Sequence, residues 1–145
     1  MKAYADASFI VALYLPQQRS PQAIGFLQPY GQPLPFTPWH RLEVRNAIRL
    51  AVWHKVIEPS QGRIQLRQLD ADLKEESFLV HTPIDWTDVL REAERLGAAH
   101  NLAIGCRSAD LFHVAAARAL GGDTFLTFDD KQTAMARAAG LAVKP

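Results

Sequence analysis

Four acidic residues occupy positions from which a carboxylate can do chemistry. Asp6 follows the short stretch Lys2-Ala3-Tyr4-Ala5 and precedes the apolar run Phe9-Ile10-Val11-Ala12-Leu13-Tyr14-Leu15. Asp129 repeats that arrangement after Phe125-Leu126-Thr127-Phe128, with Asp130 beside it. Asp110 falls in the first turn of a helix, where the dipole favours an anion. Glu43 lies at the edge of an apolar stripe that begins at Val44, and Asn46 is placed at i+3 to orient it. Each has a plainer reading by itself. Asp6 and Asp110 suit helix starts, Asp129-Asp130 suits a polar turn, and Glu43 can pair with Arg41, Arg45 or Arg49.

The shared placement points to a common task. In open α/β sheets, ligands bind beyond the carboxyl ends of the strands. Two neighbouring strands that each finish in Asp would set two carboxylates side by side. Like charges at about 4 Å repel by roughly 4 kcal/mol at an effective dielectric of about 20. A divalent cation removes that penalty. No Cys/His set competes for it, so oxygen ligands point to Mg²⁺ or Mn²⁺. Such an ion acts on phosphate esters, activating water and stabilising developing oxygen charge.

The elements that must position these acids alternate along the chain. A strand at Lys2–Ala5 leads to a helix over Phe9–Leu15, with Ser8 as its N-cap and Pro16 as its stop. Ser20-Pro21 opens a second helix through Gln28, with Ala23, Ile24 and Leu27 inward. Leu34–Thr37 is extended. A helix over Trp39–His54 carries Val44, Ala47, Ile48, Ala51 and Val52 on one stripe. Pro59 starts another, with Ile64, Leu66, Leu69 and Leu73 apolar. Phe78–His81 is a strand. A helix from Asp85 or Thr87 to His100 turns Val89, Leu90, Ala93, Leu96 and Gly97 inward, and Asn101–Arg107 is irregular. Ser108 caps a helix over Ala109–Leu120 that ends at Gly121-Gly122. Strand Asp123–Phe128, helix Gln132–Ala139 and strand Leu141–Val143 complete the series. The alternation predicts an α/β fold, a parallel sheet between helices in a three-layer α/β/α sandwich.

Composition narrows the class. The 145 residues fit one domain, 1–145, and 48% hydrophobic content supports a packed core. A net charge of +1 provides no global field for nucleic acid, so RNA binding would need a local basic patch. The single Cys106 excludes an internal disulfide. No segment has the length of a membrane span, and no cleavage pattern follows the first apolar run, so a cytoplasmic protein is expected.

Four short motifs in order carry a resemblance. Tyr4-Ala5-Asp6-Ala7-Ser8, Glu43-Val44-Arg45-Asn46-Ala47, Ser108-Ala109-Asp110-Leu111-Phe112-His113 and Thr127-Phe128-Asp129-Asp130-Lys131-Gln132 resemble the PIN domain, above all VapC-type toxins. The resemblance implies a parallel sheet of about five strands and an Mg²⁺- or Mn²⁺-dependent endoribonuclease. Its site would contain Asp6, Glu43, Asp110 and Asp129, with Ser8, Asn46 and Asp130 in support and His113 packed beneath. It also implies a homodimer held inactive by a VapB-type antitoxin, with Phe26, Leu27, Trp39 and Trp53 as candidate contacts or core. RNA, including tRNA or another structured RNA, would be the substrate. Arg41, Arg45 and Arg49 in one stripe, with Arg107 and Lys131 beside the other acids, are candidate phosphate contacts.

Three other readings remain. A haloacid-dehalogenase-like phosphatase requires two Asp spaced D-x-D after the first strand, whereas Ala7 and Ser8 follow Asp6. A PIN-like module that binds RNA or protein without cutting, and a PIN nuclease of RNA maturation, both share the motifs.

Overall fold

All five strands are three residues long and pair in parallel, and the computed structural model describes every residue from Met1 to Pro145. In chain order the elements are β1 (Ala3–Ala5), α1 (Ala7–Tyr14), α2 (Ser20–Tyr30), β2 (Leu34–Phe36), α3 (Pro38–Trp53) and α4 (Pro59–Glu75). They continue with β3 (Leu79–His81), α5 (Trp86–Ile104), α6 (Ser108–Ala119), β4 (Thr124–Leu126), α7 (Asp130–Ala138) and β5 (Ala142–Lys144). The α/β class with parallel strands is as the alternation predicts. The strands hydrogen-bond as two ladders, β1-β4-β5 and β2-β3, and not as one continuous five-stranded ladder. The chain forms two compact units, Met1–Asp6 with Pro83–Pro145, and Ala7–Thr82.

In the first unit β4 is the central strand. Tyr4 pairs with Phe125 and Phe125 with Val143. The Tyr4 and Phe125 rings stack with centroids 5.9 Å apart. Ala3, Tyr4, Ala5, Phe125 and Leu126 are all buried, the unbroken apolar pattern of parallel strands covered on both faces. Burying a side chain of this size stabilises the fold by about 1.5–3 kcal/mol. Helix α6 contributes six consecutive buried residues, Phe112 to Ala117. Three are alanines, and the first is the Phe whose ring meets Trp86 at 5.4 Å. His113, buried among them, hydrogen-bonds through Nδ1 to the Tyr4 hydroxyl at 3.0 Å, which fixes α6 against β1.

The second unit holds α1 to α4 and the β2-β3 pair. Thr37 caps α3: its hydroxyl accepts from the His40 backbone, and the His40 ring accepts from the Thr37 N–H. Both are fully buried. Asp72 of α4 is buried and receives hydrogen bonds from the Tyr14 hydroxyl at 2.7 Å and Gln68 Nε2 at 2.9 Å. These donors satisfy a carboxylate that would otherwise be costly to bury.

Several expected boundaries move. Ser20 and Ser108 are the first residues of their helices, and neither is the cap. The Ser20 hydroxyl serves the preceding loop, bonding Gln17 N and Leu15 O. Ser8 lies in the first turn of α1, which starts at Ala7. Asn101–Ile104 are helical, not irregular. Gly105, at φ 75°, closes α5 in the left-handed region, and the Asn101 amide clamps the Cys106 backbone at 2.9 and 2.7 Å. Pro29 sits inside α2, which ends one residue later at Tyr30 and is capped by Gly31. Ile24, Ile64 and Leu90 are exposed rather than inward. A helical repeat identifies a face, but neighbours decide how wide a stripe is covered.

Candidate functional site

Adjacency of β1 and β4 brings Asp6 and Asp129 into one hydrogen-bonded ring. The Asp6 N–H donates to Leu126 O at 3.0 Å and extends the ladder by one bond. Its carboxylate therefore emerges at the carboxyl end of a sheet strand, 1% exposed. The Thr127 hydroxyl donates to Asp6 Oδ2 at 2.7 Å, and Gln132 Nε2 donates to the same oxygen at 2.9 Å. Thr127 Oγ1 also accepts from Asp129 N at 3.0 Å. The Gln132 N–H donates to Asp129 Oδ1 at 2.7 Å, making Asp129 the N-cap of α7.

Local sequence explains this ring. Asp129-Asp130-Lys131-Gln132 has the spacing of a capping box, in which the side chain at the third helical position bonds the N-cap backbone. Here Thr127 already occupies the Asp129 N–H, and the Gln132 side chain is released to reach Asp6. The sequence places Gln132 at a helix start and Thr127 in a strand, and neither is expected at the site; the Asp-x-x-Gln spacing is the available signal for Gln132. Asp129 is thus a helix cap, more specific than the polar turn expected of Asp129-Asp130, and it lies in the same ring as Asp6. Asp130 is exposed in the first turn of α7.

Asp110 stands in the first turn of α6 and meets Arg107 Nε at 3.5 Å. The Arg107 side chain is 88% exposed, so this pair contributes little to stability. Cys106 links the acids electrostatically. Burial pushes its thiol up to about 11, and the charges of Asp110 and Asp129 push in the same direction. The charge of Lys131 opposes them. The Cys106 thiol donates to Lys131 O at 3.2 Å.

Glu43 and Asn46 belong to the second unit, on α3, half-buried and exposed respectively. Within that unit the arginine stripe divides. Arg45 Nη1 is tied to Asp70 Oδ1 of α4 at 2.7 Å, with 18% of its side chain exposed. Within the unit its guanidinium is thus engaged by a carboxylate. Arg41 and Arg49 are exposed. Of the four large apolar contact candidates, Trp53 is 76% exposed, while Phe26, Leu27 and Trp39 are half-buried.

The donors in the first unit are carboxylate and amide oxygens, the hard set that Mg²⁺ and Mn²⁺ prefer. No three His, Cys, Asp or Glu side chains form a ready metal cage. Mg²⁺ is normally held by one or two carboxylates, with water and substrate phosphate completing its shell. One observation favours a guest: Gln132 Oε1 is buried and has no hydrogen-bond partner. It is an acceptor in a group whose nitrogen is already bonded to an anion, and a water is a partner such an atom can take. Asp6, Asp129 and Asp110 are the residues that could hold such an ion.

The family model of the PIN domain matches residues 3–138. The backbone is similar to FitAcB from Neisseria gonorrhoeae, with TM-score 0.69 and 18% identity over 99% of this chain and 96% of that one. It is similar to FitAB bound to an IR36 DNA fragment, with TM-score 0.70 and 17% identity over 98% and 93%. VapC20 from Mycobacterium tuberculosis, a sarcin-ricin loop cleaving toxin, aligns with TM-score 0.68 and 16% identity over 99% of both chains. No curated protein sequence matches. The family model covers nearly the whole chain, and the folds agree: the chain belongs to the PIN domain family.

Proposed function

We propose that this protein is an Mg²⁺- or Mn²⁺-dependent endoribonuclease that hydrolyses RNA phosphodiester bonds, the toxin of a VapBC-type pair. The observation that carries the reading is Asp6, a buried carboxylate held by two donors at the end of a parallel strand, beside Asp129. Asp6, Asp110 and Asp129 would hold the ion, and Glu43 enters through the motif Glu43-Val44-Arg45-Asn46 alone. When bound, the ion supplies positive charge to the phosphoryl oxygens and lowers the pKa of an attacking water. The chain's own part is to fix direction. Thr127 and Gln132 hold one oxygen of Asp6, and the α7 N-terminus holds one oxygen of Asp129. Arg107 and Lys131, exposed beside these acids, supply charge for the RNA backbone. The partners in this reading are a structured or single-stranded RNA, a VapB-type antitoxin and a second copy of the chain. The protein would work in the cytoplasm, consistent with the finding that no helix is long and apolar enough to cross a membrane.

The test uses purified, antitoxin-free protein with total RNA, with and without Mg²⁺ or Mn²⁺, beside the Asp6→Asn variant. Metal-dependent cleavage lost in the variant supports the reading. RNA left intact by the wild type, or cut equally by Asp6→Asn, defeats it. RNA bound but uncut would identify a binding module instead.

A further inference from the structure

Gln132 performs two tasks within one residue. Its backbone N–H holds Asp129 Oδ1 and its side-chain Nε2 holds Asp6 Oδ2. It is 5% exposed, and its Oε1 is left with no donor. The amide orientation is fixed by chemistry, because only the nitrogen can donate to a carboxylate. The unmatched oxygen is therefore a consequence of holding Asp6. A buried acceptor without a protein donor is uncommon in native proteins, and a water or an ion is one partner that such an atom takes. The one hydroxyl in the ring, Thr127, already donates to Asp6 and has no second proton to give. A hydrated cation supplies a donor, because the waters around a cation point their hydrogens outward.

We propose that Gln132 is a positioning residue for the cation: its amide nitrogen fixes the direction of Asp6, and its Oε1 accepts a hydrogen bond from a water hydrating the ion. The proposal rests on the metal site of the function above but not on RNA cleavage. Three features give it content. The residue bridges both acids contributed by neighbouring strands. Its side chain is free for this because Thr127 takes the N-cap backbone N–H. Its free oxygen is of the type that a water can donate to. Residues that orient a metal's direct ligands typically contribute 10–100-fold to metal affinity when tested by mutation.

The experiment is a titration of wild type, Gln132→Met and Asp6→Asn with Mn²⁺ alone, free ion being read by electron paramagnetic resonance, together with metal-free melting curves. Methionine matches glutamine in length and removes both polar atoms. The expected result is Mn²⁺ affinity weaker by roughly 10–100-fold in Gln132→Met, with cooperative metal-free melting retained. An unchanged affinity overturns the proposal. So does lower metal-free stability with unaltered affinity, the signature of a purely structural role. A wild type that binds Mn²⁺ but leaves RNA intact defeats the nuclease reading while the Gln132 comparison still decides this one. A wild type that binds no Mn²⁺ overturns the proposal. Should Gln132→Met fail to fold, a high-resolution crystal structure of the wild type decides. A water donor within about 3.2 Å of Oε1 supports the proposal, and a dry contact around Oε1 overturns it.

Discussion

Replacing Thr127 by valine removes one hydroxyl and leaves the shape of the side chain. That hydroxyl is 3% exposed with its residue, donates to Asp6 Oδ2 at 2.7 Å and accepts from Asp129 N at 3.0 Å. A hydrogen bond to a charged partner is worth about 1.5–3 kcal/mol, and the neutral one about 1 kcal/mol. Asp129 is exposed, so its N–H can turn to water and most of the second contribution is recovered. The added buried methyl returns about 0.8 kcal/mol. The net expectation is a loss of about 2 kcal/mol, equivalent to a fall of roughly 4–8 °C in Tm for a chain of this size.

Urea melts followed by far-ultraviolet circular dichroism measure this loss, and a double-mutant cycle assigns it. In an Asp6→Ala background the carboxylate needing a donor is absent, so Thr127→Val should be milder by about 1–2 kcal/mol. Equal losses in the two backgrounds would refute the ring as an energetic unit. So would a loss below about 0.5 kcal/mol in the wild type, which is the range of an ordinary surface substitution.

Two further outcomes follow from the second unit. Burial and the hydrogen bond to Asp72, then its charge, hold the Tyr14 phenol well above the ordinary tyrosine value of 10.0. A pKa raised by folding gives stability that is complete below the unfolded value and lost as pH climbs towards the folded one. Stability should therefore decline above about pH 10, and Tyr14→Phe should flatten that decline while lowering neutral-pH stability by about 1.5–3 kcal/mol; denaturant melts across pH check both. Gly62 is buried in α4, and a Cβ there would meet Val52 Cγ2 at 2.6 Å, so Gly62→Ala should destabilise by about 1–3 kcal/mol despite alanine's better helix propensity. A Tm at or above wild type would show that α3 and α4 can separate without penalty.

Local chemistry accounts for what could be read from the chain. Pro21, Pro38 and Pro59 lie in the first turns of α2, α3 and α4, and Gly31 and Gly105 close α2 and α5, because each fixes or frees φ whatever surrounds it. Val44, Ile48, Leu69, Val89 and Leu96 are buried as their helical spacing predicts. The end of β1 at Asp6 could likewise be found, since it follows an apolar stretch and precedes a helix, whereas β4 stops at Leu126, two residues before the expected Phe128.

The sequence by itself determined the alternating elements, their stops and the four short motifs, all of which depend on residues a few positions apart. Only the tertiary structure decided which strands are neighbours. The bond from Thr127 to Asp6 joins residues 121 positions apart, and no local signal encodes such a pairing. The same holds for Gln132, whose spacing predicts a bond to its own helix cap. Thr127, two residues from Asp129, fills that place locally, and Asp6 becomes the partner of the displaced side chain only once β1 and β4 lie side by side.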